Sequence, residues 1–151
     1  MMMAALDKAR IGTAALAVGI AQAGLEAALD DSRTRREFGR PIAEHQGLGF
    51  LLADTAKDIH AARLLVHDAA RRMDAGENAT PACSIAKLMA GDVAVARSAD
   101  PVQIFGGSRC IRGFEVERLD RDVRITQIRK GSQQIQRTII ARELVRHGAV
   151  Q

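Results

Sequence analysis

Long stretches of this chain repeat apolar residues at the spacing of an α-helix, and glycine or proline interrupts the pattern between them. Over about residues 4–32, Leu6, Ile11, Ala14, Leu16, Ile20, Leu25 and Leu29 fall on one helical face,. The pattern stops before Phe38-Gly39-Arg40-Pro41, where glycine and proline both oppose a helix,. Leu48, Leu51, Leu52, Ile59, Ala62, Leu65, Val66 and Ala69 predict a second helix over about 44–75, stopped by Gly76-Glu77-Asn78,. Thr80 suits an N-cap and Pro81 a first turn,. The helix they open carries Ile85, Leu88, Met89, Val93 and Val95 to about residue 105, where Gly106-Gly107 ends it. A connection rich in Gly, Arg and Glu follows, with one short helix around 117–122. The last helix spans about 132–147 and is expected to bury Ile135, Ile139, Ile140 and Leu144.

Four long helices with short connections predict an antiparallel, up-down four-helix bundle: a single all-α domain over residues 1–151,. Gly12, Gly19 and Gly24 allow helices to approach closely along the first segment. Apolar residues make up 47% of the chain but aromatic ones only 3%, so the core must come from Ala, Leu, Ile and Val. That composition favours packed helices, and no strand-period alternation is visible.

Several function classes are disfavoured. The net charge is +4, but the 22 basic residues are scattered among 18 acids and almost no aromatics are available to stack on bases,. A solvated helical surface is expected rather than a nucleic-acid interface, and a basic helical regulator is the weakest reading. Met1-Met2-Met3-Ala4-Ala5-Leu6-Asp7 lacks the basic start of a secretory signal,. No run of about 18 uncharged apolar residues appears, so a membrane span is not expected,. Two cysteines, Cys83 and Cys110, are too few for a disulfide framework and suit reduced residues of a cytoplasmic protein,. His60 and His67 lie seven residues apart rather than the four of a helical metal pair, so no metal site is expected,.

Five blocks, in order, carry a family resemblance. They are Leu6-Asp7-Lys8-Ala9-Arg10-Ile11-Gly12; Arg35-Arg36-Glu37-Phe38-Gly39-Arg40-Pro41-Ile42 with His45-Gln46; Val102-Gln103-Ile104-Phe105-Gly106-Gly107; Glu117 to Arg124; and Ile139-Ile140-Ala141-Arg142-Glu143-Leu144, with the segment Gln127-Ile128-Arg129-Lys130-Gly131-Ser132-Gln133-Gln134-Ile135-Gln136-Arg137 between the last two. Together they resemble the C-terminal domain of acyl-CoA dehydrogenases, whose I-Y-E-G-T-x-x-I-Q-R motif contains the catalytic base. The resemblance implies an FAD-dependent oxidoreductase acting on the CH–CH group of acyl-CoA in fatty acid metabolism. It implies FAD contacts at Arg35, Gln46, Gln103, Ile104, Phe105, Gly106, Gly107, Ser132, Gln133 and Gln134, and acyl-CoA contacts at Asp7, Arg10 and Gly131. Because the family shares FAD across a dimer interface, it also implies a homo-oligomer, a dimer or a tetramer.

The same alignment of motifs puts Lys130 where the family has its base glutamate. An ammonium has no lone pair with which to take a proton. Members that carry the glutamate on the first helix would place it at Ala9. Arg129 stands for the motif's tyrosine, His45 for the phenylalanine of F-Q, and Ser108-Arg109-Cys110 for an aromatic stretch. The resemblance starts where the family's C-terminal domain starts, so the helical N-terminal and β middle domains are expected to be absent and the chain inactive alone. The alternative is a non-enzymatic assembly module that completes the FAD site or the oligomer of a separate acyl-CoA dehydrogenase subunit.

Overall fold

The computed structural model describes residues 2–107 and 114–148. Helix α1 (Met2–Thr34) leads into a two-residue ladder, β1 (Arg36–Glu37) and β2 (Arg40–Pro41), then a 3-10 turn (Ile42–Glu44) and α2 (Gln46–Asp74). There follow α3 (Thr80–Arg97), α4 (Ala99–Phe105), α5 (Glu115–Asp122), the single-turn α6 (Ile125–Ile128) and α7 (Gln133–His147). The fold is all-α, a helical bundle around α1, α2 and α3, with α7 laid on α3.

Small side chains draw these helices together. Ala14, Ala17 and Ala21 of α1 meet Ala62 and Ala69 of α2 and Ala86, Ala90 and Ala94 of α3, with Leu25, Ile59 and Val93 filling the remaining volume. Alanine lets helix axes close toward the short end of the roughly 8–10 Å packing range. The segment Ala5–Thr34 is nonetheless long and apolar enough, by length and composition, to cross a membrane, with mean hydropathy 1.4. In this fold it is the central helix of the bundle.

Several details depart from expectation. The expected long third helix is two, α3 and α4, broken at Ser98. Pro101 has no N–H for the Arg97 carbonyl, and its ring opposes that carbonyl. Its Cγ lies 3.0 Å from where a Cβ on Gly24 would stand, so of the three glycines in α1 only Gly24 serves close packing. Gly12 and Gly19 face open space. Thr80 does not cap α3: the cap position is Ala79, and the Thr80 hydroxyl donates to Asp7 at 2.6 Å. The expected helix break at Phe38-Gly39 is a hairpin turn, with φ of +52° and +82° joining β1 to β2. Two consecutive left-handed residues are what a two-residue hairpin requires. In α7 only Gln133, Gln136 and Ile139 are buried, because the helix packs on α3 along that single stripe. Ile135 (50% exposed) and Leu144 (41%) face outward, and Ile140 is half-buried, contrary to the expectation of a four-residue apolar core face.

Candidate functional site

The motif segment folds as a short helix, a tight turn and a long helix. After α6, Arg129 is extended, Lys130 and Gly131 adopt φ of +60° and +97°, and Ser132 returns to extended geometry at the N-cap of α7. A left-handed non-glycine residue costs about 1–2 kcal/mol, so other contacts must hold Lys130 there. One is visible beneath the turn: the buried Gln136 amide donates to the carbonyls of Gly131 at 3.2 Å and Lys130 at 3.4 Å. The Lys130 side chain itself is exposed. Relieving its backbone strain with Lys130→Gly, against the entropy glycine adds to the unfolded chain, is expected to raise stability by about 0.5–1 kcal/mol. Urea denaturation checks this.

Helix α3 supplies a second hold. Lys87 is wholly buried, and its ammonium donates to the Gln127 carbonyl at 3.1 Å and to Gln133 Oε1 at 3.0 Å. The Gln133 amide nitrogen donates in turn to the Leu88 carbonyl and to Asp92, both at 2.9 Å. Asp92 also accepts from Gln127 at 3.2 Å and Arg137 at 3.0 Å. A Cβ on Gly91 would lie 2.9 Å from the Gln133 nitrogen, so glycine there makes room for this amide. Gln133 therefore faces the interior, while Gln134 is exposed and Ser132 half-buried.

Burial holds the Lys87 ammonium below the ordinary lysine value of 10.5, with Asp92 opposing that shift and Arg10 adding to it. The folded chain then releases this proton more readily than the unfolded chain. Between the lowered value and 10.5 the unfolded state binds more protons, so this group makes stability rise with pH across that interval,. Lys87→Met is expected to abolish that rise, as read from denaturation midpoints at neutral and alkaline pH.

Near the start of α1, Asp7 and Arg10 form a buried ion pair at 2.6 Å, one turn apart on the helix. The second Asp7 oxygen accepts from Thr80, tying α1 to the start of α3. Cys83, also buried, has its thiol pushed up to about 11, first by burial and then by the Asp7 carboxylate. Such a thiol stays protonated and unreactive at neutral pH.

A separate groove of about 430 Å³ lies between the hairpin, α2 and α4, lined by Arg35, Phe38, His45, Gln103, Ile104 and Gly106 among others. Arg35 donates to the Phe105 carbonyl at 3.0 Å and pairs with Glu37 at 3.1 Å. Gly106, at φ +72°, has Arg35 Nη1 3.4 Å from where its Cβ would be. Gln46 is exposed as the first residue of α2, and Gly107 is exposed beyond α4. His45 stacks edge-on against Phe38 and meets Arg40 at 3.2 Å. A fixed guanidinium, a close glycine backbone and the N-terminus of α2 suit an anionic group such as a diphosphate. The structure thus gathers Arg35, Gln103, Ile104 and Gly106 here, and Gly131 to Gln134 at the motif turn. The residues lining this groove include none from the motif turn. The substituted stretch Ser108-Arg109-Cys110 lies outside the described residues.

Residues 1–145 match the family model described as the acyl-CoA dehydrogenase C-terminal domain. The chain belongs to that family. It is 48% identical over 143 residues to an acyl-CoA dehydrogenase of Bacillus subtilis, covering 95% of this chain and 38% of that relative. It superposes on butyryl-CoA dehydrogenase from Megasphaera elsdenii with a TM-score of 0.93 at 41% identity, over 95% of this chain and 37% of that one. The Acetobacterium woodii protein named as subunit CarC of a caffeyl-CoA reductase–Etf complex is 39% identical over 144 residues, 95% of this chain and 38% of that relative. The chain thus spans just over a third of the length of the relatives it matches.

In this acyl-CoA dehydrogenase C-terminal domain the motif segment thus makes a turn with left-handed Lys130 and Gly131 at its apex. Sequence reasoning did not find Lys87 or Asp92 as supports of that turn, nor that Gln136 lies buried beneath it. The available signal was Lys87 itself, a charge inside the apolar run Ile85-Ala86-Lys87-Leu88-Met89.

Proposed function

We propose that this chain is the flavin-contacting C-terminal module of an FAD-dependent oxidoreductase of acyl-CoA thioesters, and that it does not dehydrogenate them by itself. The observation that supports this reading is an ordered left-handed turn in the motif segment with an exposed Lys130 at its apex. In the family reaction a carboxylate removes the α-proton of the thioester as a hydride leaves the β-carbon. FAD, when bound, is the hydride acceptor. Lys130 offers a cation where that proton must be taken up, and an ammonium has no lone pair to accept it. Arg35 would hold anionic phosphate oxygens beside the Gly106 backbone, and Gln103 and Gln46 would donate at the rim of the same groove. Gly131 would contact the thioester, with Ser132 and Gln134 at the head of α7 facing the flavin. Asp7 and Arg10, which the resemblance assigns to acyl-CoA, are spent on each other and Thr80, so their part in this reading is to fix the start of α1 against α3.

The reading includes self-association in the cytoplasm. Phe38 (95% exposed), Ile128 (66%) and Val145 (88%) leave apolar surface for a second copy or a partner subunit,. The assembly-module alternative draws on the same surfaces and needs no chemistry at Lys130. Titration of the purified chain with FAD, alone and with a separately expressed N-terminal and middle-domain segment of a relative, tests the proposal. Flavin absorbance that co-elutes only with the reassembled pair is the expected result. No flavin retention by the pair would refute a flavin-contacting role.

A further inference from the structure

Resting on that reading, we propose that Lys87 is a positioning residue that holds the apex of the motif turn where a substrate-facing side chain must stand. Its ammonium reaches three residues before the apex, to the Gln127 carbonyl, and three residues after it, to the Gln133 side chain. The Gln127 carbonyl lies in the last turn of a four-residue helix, where no later amide of α6 can reach it,. A buried cationic donor is the strongest partner available for such a carbonyl. On the other side, Gln133 is the first residue of α7, so its tether fixes where that helix begins. Asp92, one turn along α3, binds the side chains of Gln127 and Gln133, and so repeats the same span from a second point.

The arrangement is costly unless it does something. A buried ammonium with two neutral acceptors and no carboxylate in direct contact is a poor stabiliser by itself,. A methionine of similar length would fill the same space without the desolvation penalty. What the ammonium adds is a fixed distance across a turn whose two central residues are both left-handed. The charge therefore sets geometry at position 130, whichever side chain is there.

Solution NMR on the full 151-residue chain reads this directly. The Cα and Cβ shifts and the three-bond HN–Hα coupling of Lys130 report its left-handed backbone. In Lys87→Met that signature is expected to be lost, and amide exchange at Arg129 and Gln136, which donate to the Ile125 and Ser132 carbonyls, to quicken by about tenfold or more while the amides of α1 and α2 stay protected,. Gln133→Met, which leaves Lys87 one acceptor, is expected to quicken the same amides by less, and keeps the test open should Lys87→Met fold poorly. Val66→Ala, a core truncation, is expected to lower stability yet keep the signature. An unchanged signature in Lys87→Met, or in Gln133→Met if only that variant folds, overturns the inference, as does equal loss in Val66→Ala. The readout needs no flavin, so a failure to bind FAD would count against the proposed function alone.

Discussion

Asp7→Ala is expected to destabilise the chain by about 3–5 kcal/mol, the cost of leaving a buried charge without its partner. Asp7 and Arg10 are 6% and 4% exposed, so water cannot replace the lost carboxylate. Arg10 already has one buried guanidinium nitrogen, Nε, with no hydrogen-bond partner among the described residues, and losing Asp7 would strip its Nη1 as well. The Thr80 hydroxyl would lose its acceptor in the same step. At 151 residues, each kcal/mol lowers the melting temperature by about 2–4 °C. Replacing both partners, as in Asp7→Leu with Arg10→Met, is expected to recover most of the loss, because the desolvation cost goes with the charges. Thermal melts of the single and double variants measure this. A single variant as stable as the parent would show that the pair is hydrated in solution.

The second large effect lies at the motif turn. Gly131→Ala is expected to cost about 3 kcal/mol from two sources that add, left-handed strain and overpacking. At φ +97° an L-residue is strained whatever the space around it, and here its Cβ would lie 2.7 Å from Gln136 Nε2. Gln136 is fully buried and holds the Lys130 and Gly131 carbonyls, so it cannot swing into solvent. The loss should be concentrated in residues 128–136, seen as faster amide exchange there. An alanine accepted without loss would mean the turn is not left-handed at Gly131. The contrast with Lys130→Gly, expected to stabilise, tests the turn geometry from the opposite direction.

Helix positions were legible because hydrophobic period survives almost any tertiary context, and α1 and α2 sit within two or three residues of the expected limits. What the period does not carry is which apolar residue meets a partner. Ile135 and Leu144 share the spacing of core residues, yet α7 packs on α3 and buries only Gln133, Gln136 and Ile139. Local rules also lost to tertiary ones. Thr80 has the right type for a cap, but Asp7, 73 residues earlier, takes its hydroxyl. Pro101 read as part of an apolar helix although its ring must interrupt one. The family motifs name residues that the structure gathers at the turn and in the Arg35 groove. They did not reveal that Gln133 points inward or that Lys87 lies beneath it, since both depend on α3 crossing under the turn.

The proposed defect is a cation, Lys130, where the family reaction needs a base. It is tested most directly by Lys130→Glu in the chain reassembled with the N-terminal and middle domains of a relative, with FAD and an acyl-CoA thioester, following flavin reduction anaerobically. The parent lysine chain is expected to leave the flavin oxidised, and the glutamate variant to reduce it on adding thioester. Flavin reduction by the parent at a rate equal to the variant's would contradict the claim.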